Sequence, residues 1–287
     1  MRARVVCALA LALVWCAGLA HAQQMQPLTF VSDYTVRPGK EEDFLQLVKT
    51  IGAPVRDKLM AEGVVLAWGV DVPLMRAPGQ PTHSVWYDVA DWDGVQKVQT
   101  AIQAQIAKLA EEDKKAADEA RKKGGKTAKS TAERIEETLD TGKTKDWVFR
   151  GLSGNYSSTP PPADLQPFTR IFLLTIKPGK YFEWKAAWDK YNKPLLDKLV
   201  ADGVVGAYGI GTEEVRTSGD FTHYVATSVA RLADFEKTRQ AFIADRAKRS
   251  AEENDRITET FNNLTDPNAA RSFILHSIIF KVAPPKK

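Results

Sequence analysis

Cysteine is almost absent: the 287-residue chain has two, Cys7 and Cys16. Both fall in the first 22 residues, which read as a removable leader. Arg2 and Arg4 open it, Val5 begins an apolar run to Ala20, and Ala20-His21-Ala22 has the small-x-small form of a cleavage site. The expected product is an exported chain, destined for the periplasm or the medium. It has no disulfide, no thiolate nucleophile and no cysteine-based metal or iron–sulfur centre. A lipid anchor on Cys16 is disfavoured, because Trp15 stands where such signals want a small residue. Beyond the leader no apolar run is long enough to span a bilayer. An excess of charge is missing too: 40 basic residues face 36 acidic ones, and the net +4 falls to about +2 without the two leader arginines. Nothing in that balance argues for nucleic acid as a partner. Also absent are a Gly-rich phosphate loop, a nucleophile elbow and a zinc-protease motif, which argues against a nucleotide cofactor. Histidines number four, and none has a second His, Asp or Glu at short ligand spacing, so no metal and no cofactor are expected.

What is present is a globular composition, 44% apolar and 26% charged. Setting the leader aside leaves 265 of the 287 residues, enough for two domains of about 100–150 residues. The chain is also self-similar. Residues 28–90 align without gaps on 168–230, and 22 of the 63 pairs are identical. The matches include Pro38-Gly39-Lys40 with Pro178-Gly179-Lys180, Gly63-Val64-Val65 with Gly203-Val204-Val205, and Thr82-His83 with Thr222-His223. The expected organisation is a first repeat over 23–152, a Pro/Ser-rich linker over 153–167, a second repeat over 168–281 and a tail over 282–287.

Each repeat reads as strand, helix, strand, strand, helix, strand. First strands are expected at 28–36 and 168–176, second at 64–70 and 204–210, third at 82–89 and 222–229, fourth at 147–152 and 272–281. Phe44, Leu47, Val48, Ile51, Val55 and Leu59 form one helical apolar stripe, matched by Trp184, Ala187, Trp188, Tyr191, Leu195 and Leu199. Pro54 and Pro194 interrupt these stripes, predicting a kink or a restart. Asp91 and Asp234 are expected to cap the second helices. The first repeat carries a charged helical insertion over about 105–130. Pairs at Glu111/Lys115 and Glu119/Lys123 are expected to support it, Gly124-Gly125 to break it, and Ser130 with Glu133 to restart it. It reads either as a solvated hairpin or as an arm for a partner.

That element order, taken twice, gives an α+β class: two tandem ferredoxin-like βαββαβ repeats packed as an intramolecular barrel. The Pro-Gly-Lys turn, the aromatic-lined first helix, Asp202-Gly203-Val204-Val205 and the Ala-Asp-Trp/Phe helix starts at Ala90 and Ala233 carry a resemblance. The chain resembles the dimeric α/β-barrel superfamily, with its antibiotic-biosynthesis-monooxygenase-like, EthD-like and NIPSNAP-like domains. The resemblance implies two sheets paired face to face into a barrel, with small-molecule sites between sheet and helices. It also implies that some members bind haem, which keeps haem binding through a histidine as a third expectation. The sheet faces turned away from the helices, expected to carry Val64, Leu66, Trp68, Val70 and Trp86, would then cover one another.

The candidate catalytic residues are His83, His223 and Asp88. The histidines occupy equivalent positions and suit a general base, or a loop end that fixes strand register by hydrogen bonding. Asp88 alternates onto the same face as Ser84 and Trp86, opposite His83, Val85 and Tyr87. If that face is the barrel interior, Asp88 is a buried base with a raised pKa, unique to the first repeat because Ser228 is its counterpart. Asp33 is likewise unmatched, facing Leu173 in the alignment. Trp68, Trp86, Tyr208 and Tyr224 are candidate walls for a planar ligand or aromatic core. Arg76 and Arg216 are matched loop cations, and Arg150 and His276 align loosely on the fourth strands. The functional expectation is an exported protein that binds a small aromatic molecule. The alternative is a cofactor-independent oxygenase, isomerase or lyase acting on an aromatic or enolisable substrate.

Overall fold

β-branched and aromatic runs closed by Gly-containing turns produce strands where the pattern puts them, and apolar stripes at helical spacing cover those strands. The computed structural model describes residues 27–76, 79–157, 162, 164–215 and 221–283. The leader, Arg216 and most of the proline cluster lie outside the described residues. In chain order the first half has β1 (Leu28–Tyr34), α1 (Glu41–Leu47), a π-helical turn (Val48–Gly52), α2 (Ala53–Ala61), β2 (Val65–Pro73) and β3 (His83–Val89). It continues with α3 (Trp92–Lys122), α4 (Thr131–Thr138) and β4 (Lys145–Tyr156). The second half runs through β5 (Phe168–Ile176), α5 (Tyr181–Tyr191), α6 (Lys193–Ala201), β6 (Ala207–Glu213) and β7 (His223–Val229). It ends with α7 (Ala233–Arg246), α8 (Ala251–Leu264) and β8 (Thr265–Val282).

The turns before α1 and α5 need a left-handed residue, and Gly39 and Gly179 supply it at φ +77° and +76°. Both predicted interruptions occur. Pro54 and Pro194 sit in the first turn of α2 and α6, where a missing N–H costs nothing. The first half bridges its break with the π turn, whereas the second restarts at Asn192. Asp91 caps α3, accepting from the Gly94 N–H at 2.9 Å. Asp234 does not cap α7. Leu232 holds that position, and Asp234 is buried within the first turn, accepting from Arg231 and Lys237.

The charged insertion is a 31-residue α3 ending at Lys122, followed by Gly124 at φ +66°. Ser130 and Glu133 form the anticipated capping box on α4, and Asp113 on α3 accepts the Thr131 N–H, pinning α4 back. The ion pairs along α3 are Lys108–Glu112 and Asp118–Arg121, in place of the two expected pairs.

All eight strands close into one antiparallel barrel in the order β1-β3-β2-β8-β5-β7-β6-β4. The two four-stranded sheets therefore meet edge to edge, through β2–β8 and β4–β6, while their inner faces look at each other across the barrel. Closure leaves no row of unpaired backbone groups. β4 continues to Tyr156, four residues into the segment read as linker, and β8 starts seven residues earlier than expected, at Thr265. The helices cover the outside. One core packs Phe44, Val48, Val55, Leu59, Trp68, Val85 and Tyr87 under α1, α2 and α3. The other packs Trp184, Trp188, Leu196, Leu199, Tyr208 and Ile210 under α5 and α6.

Candidate functional site

Strand register divides the candidate residues between two faces. β1, β3 and β2 line up Asp33, Ser84 and Asp71 at one level, Val31, Trp86 and Gly69 at the next, and Thr29, Asp88 and Ala67 at the third. These side chains point into the barrel. Gly69 lies so close beneath Trp86 that an added Cβ would meet the indole at 2.8 Å and the Ile279 carbonyl at 2.6 Å. Alternating neighbours, Val85, Tyr87 and Val89, point outward to the helices with Val65, Trp68 and Val70.

Trp68 and Val70 were expected beside Trp86 on the inner face, and the structure reverses that assignment. A β-bulge between Val65 and Ala67 lets Val65 and Trp68 share the outer face although they are three residues apart. The four candidate wall residues thus separate in pairs. Trp68 and Tyr208 are outer-face residues that tether strand to helix. The Trp68 indole N–H donates to Asp57 at 2.9 Å, and the Tyr208 hydroxyl to Asp197 at 2.6 Å. Trp86 and Tyr224 are inner-face residues, Trp86 against Phe280 and Tyr224 edge-on to Phe149. Trp147, Phe149 and Phe221 extend this aromatic lining.

The three candidate catalytic residues are also separated. Both histidines face the helices: His83 lies 4.6 Å from Phe44, centroid to centroid, and His223 stacks on Tyr181 at 5.6 Å. In each, Nδ1 sits against the preceding threonine hydroxyl, at 3.0 and 2.8 Å. Those threonines in turn accept the N–H of Val36 and Ile176, tying the start of the third strand to the end of the first. This is the register-fixing arrangement, made twice. Burial lowers the His83 pKa to about 4, so the ring is neutral at pH 7.

Asp88 is inside. It is half-buried, accepts one hydrogen bond, from the Thr29 hydroxyl at 2.6 Å, and desolvation raises its pKa to about 6. Its charge helps to raise the pKa of Tyr224, whose own burial is the larger cause. Two further carboxylates of the first half share the interior. Asp71 accepts from Ser277 at 2.6 Å across the β2–β8 seam, and burial raises it to about 6 as well. The nearby Trp86 indole N–H partly offsets that rise without making a hydrogen bond. Asp33 accepts from Ser84 at 2.5 Å and from the Trp147 indole at 2.8 Å; burial still leaves its pKa raised. Chemically, the barrel interior brings carboxyls with raised pKa values, about 6 for Asp71 and Asp88, together with aromatic faces.

The second half adds one buried carboxylate, Glu213 at the end of β6, 4% exposed and opposite the inner-face Phe149 in register. At the positions 140 residues on, Asp33, Asp71, Trp86 and Asp88 become Leu173, Gly211, Ala226 and Ser228. Gly211 leaves the space that the Tyr224 ring fills, since a Cβ there would meet it at 2.5 Å. Asp71 escaped the sequence reading although its alternation with Ala67 and Gly69 beside the inner face of β3 was the available signal. Arg150 and His276 hold equivalent places, opposite Leu28 and Phe168 in register. Arg150 makes a two-pronged bond to Glu214, and His276 stacks on Phe168 at 4.5 Å. Arg76 is exposed in the loop after β2. Among the described residues no three His, Cys, Asp or Glu side chains are grouped to hold a metal ion, and no helix is long and apolar enough to cross a membrane. Surface hollows of about 520 Å³ beside Arg37 and Glu137, and about 420 Å³ beside Asn155 and Asp202, involve none of these groups.

No family model matches the chain, and no curated protein does. Solved structures do. A candidate monooxygenase from Fusobacterium nucleatum superposes with a TM-score of 0.57 at 12% identity, covering 92% of this chain and 97% of that one. A candidate monooxygenase from Lactobacillus acidophilus gives 0.53 at 11%, covering 90% and 97%. An anthrone oxidase-like protein gives 0.51 at 10%, covering 92% and 96%. These neighbours are dimeric α/β-barrel proteins of ferredoxin-like build, and at such identities the likeness is one of fold alone. The chain has their mixed α/β architecture, an eight-stranded closed antiparallel barrel wrapped by helices.

Proposed function

We propose that this is an exported protein, arisen by tandem duplication of a ferredoxin-like unit, that takes a small aromatic or enolisable molecule into its barrel. We further propose that it acts there as a cofactor-independent oxygenase with Asp88 as the base. The observation that carries this reading is Asp88 itself, an inward-facing, half-buried carboxylate with a single hydroxyl donor and a pKa raised to about 6, set among aromatic rings in one half only. A group of that pKa is ionised at pH 7 yet basic enough to take an activated C–H or phenolic proton. The small side chains of Gly209, Ala226 and Ser228 on the facing wall take up little of the interior.

The neighbours named for oxygenation lend the reaction type. On an anthrone the step balances with dioxygen as oxidant. Asp88 removes a methylene proton, the carbanion joins O2 through a new C–O bond, the peroxide anion takes the proton back from Asp88, and the resulting hydroperoxide loses water to leave a ketone. The histidines, turned to the helices and engaged with threonines, have no part in it. Asp33 is already held by a hydroxyl and an indole donor, and Asp71, which matches Asp88 in its one hydroxyl donor and its pKa of about 6, is the less accessible of the two at 7% exposure in the β2–β8 seam.

The test is oxygen uptake by the leader-free chain with anthrone and a panel of enolisable phenols. Wild type is expected to turn over at least one of them, Asp88→Asn to lose at least 100-fold in kcat, and His83→Gln to keep activity within about threefold. Turnover that survives Asp88→Asn would falsify the assignment. Tight binding without oxygen uptake in wild type would instead support the binding-protein reading for those compounds.

A further inference from the structure

The outer face of the same sheet holds a charge that the fold does not require. Arg56 on α2 is only 9% exposed, yet no carboxylate pairs with it among the described residues. Its Nε is sealed in without a hydrogen-bond acceptor. The guanidinium carbon lies 5.7 Å from the centroids of both Trp68 and Tyr87, so two aromatic faces are its main company. Its Nη1 occupies the space over Gly52 where any Cβ would stand, 2.1 Å away, so the glycine at the end of the π turn makes room for it. π turns within helices frequently mark functional sites.

An unpaired buried guanidinium is costly, and removing such a charge by an apolar side chain is often neutral or stabilising. The second half shows the apolar solution. The residue equivalent to Arg56 is Leu196, 3% exposed in its core, under a helix break with no π turn. The surroundings change with it: Tyr34 and Tyr87, the groups whose fields reach Arg56, become Leu174 and Thr227. The arginine, its glycine and Tyr87 therefore belong together to the first half, while Trp68 keeps an aromatic counterpart in Tyr208. Gln99 on α3 donates to the Tyr87 hydroxyl at 3.0 Å and holds that ring in place.

We propose that Arg56 is the recognition group of an anion site between the first sheet and its helices, and that the site takes a compact organic carboxylate. The planar guanidinium fork matches a carboxylate with two parallel hydrogen bonds, and the aromatic faces suit a flat ligand body. This site is on the opposite face of β3 from Asp88, so the two assignments stand or fall separately.

Calorimetric titration of the leader-free chain with benzoate, and with benzamide as its neutral isostere, tests the site in low-chloride buffer. Benzoate is expected to bind saturably and at least tenfold more tightly than benzamide. Arg56→Met is expected to weaken benzoate at least tenfold while raising Tm in the absence of anion. Arg56→Lys, which keeps the charge but loses the fork, is expected to fall between the two and serves if the Met variant does not fold. Absence of saturable benzoate binding to wild type overturns the proposal. So does equal affinity for benzamide, or undiminished benzoate affinity in both variants.

Discussion

Asp71, Asp88 and His83 titrate over the same pH range, with opposite effects on stability. The two carboxyls have folded pKa values of about 6 against an ordinary 3.8. Between those values the folded chain holds protons that the unfolded chain has released. Their stabilising contribution is therefore complete below about pH 4 and is lost as pH rises through 6. His83 is lowered to about 4 from 6.5, so the unfolded chain binds the extra proton and stability is lost as pH falls from 6.5 towards 4. In urea unfolding from pH 4 to 8, Asp88→Asn should remove a fall of about 1–3 kcal/mol over pH 4–6. His83→Gln should remove a rise of similar size, and unchanged slopes in both variants would refute the burial assigned to them. Asp88 was legible because strand alternation and the missing counterpart at Ser228 both mark it. Asp71 was not, because its partner Ser277 lies 206 residues away and only barrel closure brings the two together.

Helices, strands and their turns are where local sequence speaks most clearly, since each is decided within a few residues. Pro54 and Pro194 announced breaks, and Ser130 with Glu133 announced a helix start. Bulges are decided by contacts across strands, and the one at Val65/Ala67 moved Trp68 from the inner face to the outer. The same element supplies a test of the face assignment. At Gly69 a new Cβ would press on the Ile279 carbonyl of β8 at 2.6 Å and on the ring of Trp86 from β3. At Gly209, its counterpart, the nearest atom is the Ser153 carbonyl at 3.9 Å. Gly69→Ala should therefore cost about 1–3 kcal/mol or more through overpacking, and Gly209→Ala should be close to neutral. Thermal unfolding of the two single variants checks this. Equal shifts would mean that Trp86 does not lie over Gly69 in the barrel.

At the scale of the molecule, closure couples the two halves. Each four-stranded sheet ends in two edges, β2 and β4 in one half and β6 and β8 in the other, and every edge is satisfied only by the opposite half. Neither half can open without exposing two rows of backbone donors and acceptors together with the inner aromatic face. Unfolding should accordingly be a single transition, with tryptophan fluorescence and far-UV circular dichroism giving coincident midpoints. The same reasoning predicts how a half behaves alone. A chain of residues 27–157 retains its helices and outer core, but leaves β2 and β4 unpaired and Trp86, Trp147 and Phe149 facing water. It should recover a closed barrel by pairing with a second copy of itself, or else aggregate, because edge pairing has no other outlet. Light scattering on that fragment decides the matter: a stable, well-folded monomer at micromolar concentration would show that the seams are not what holds the inner faces out of water.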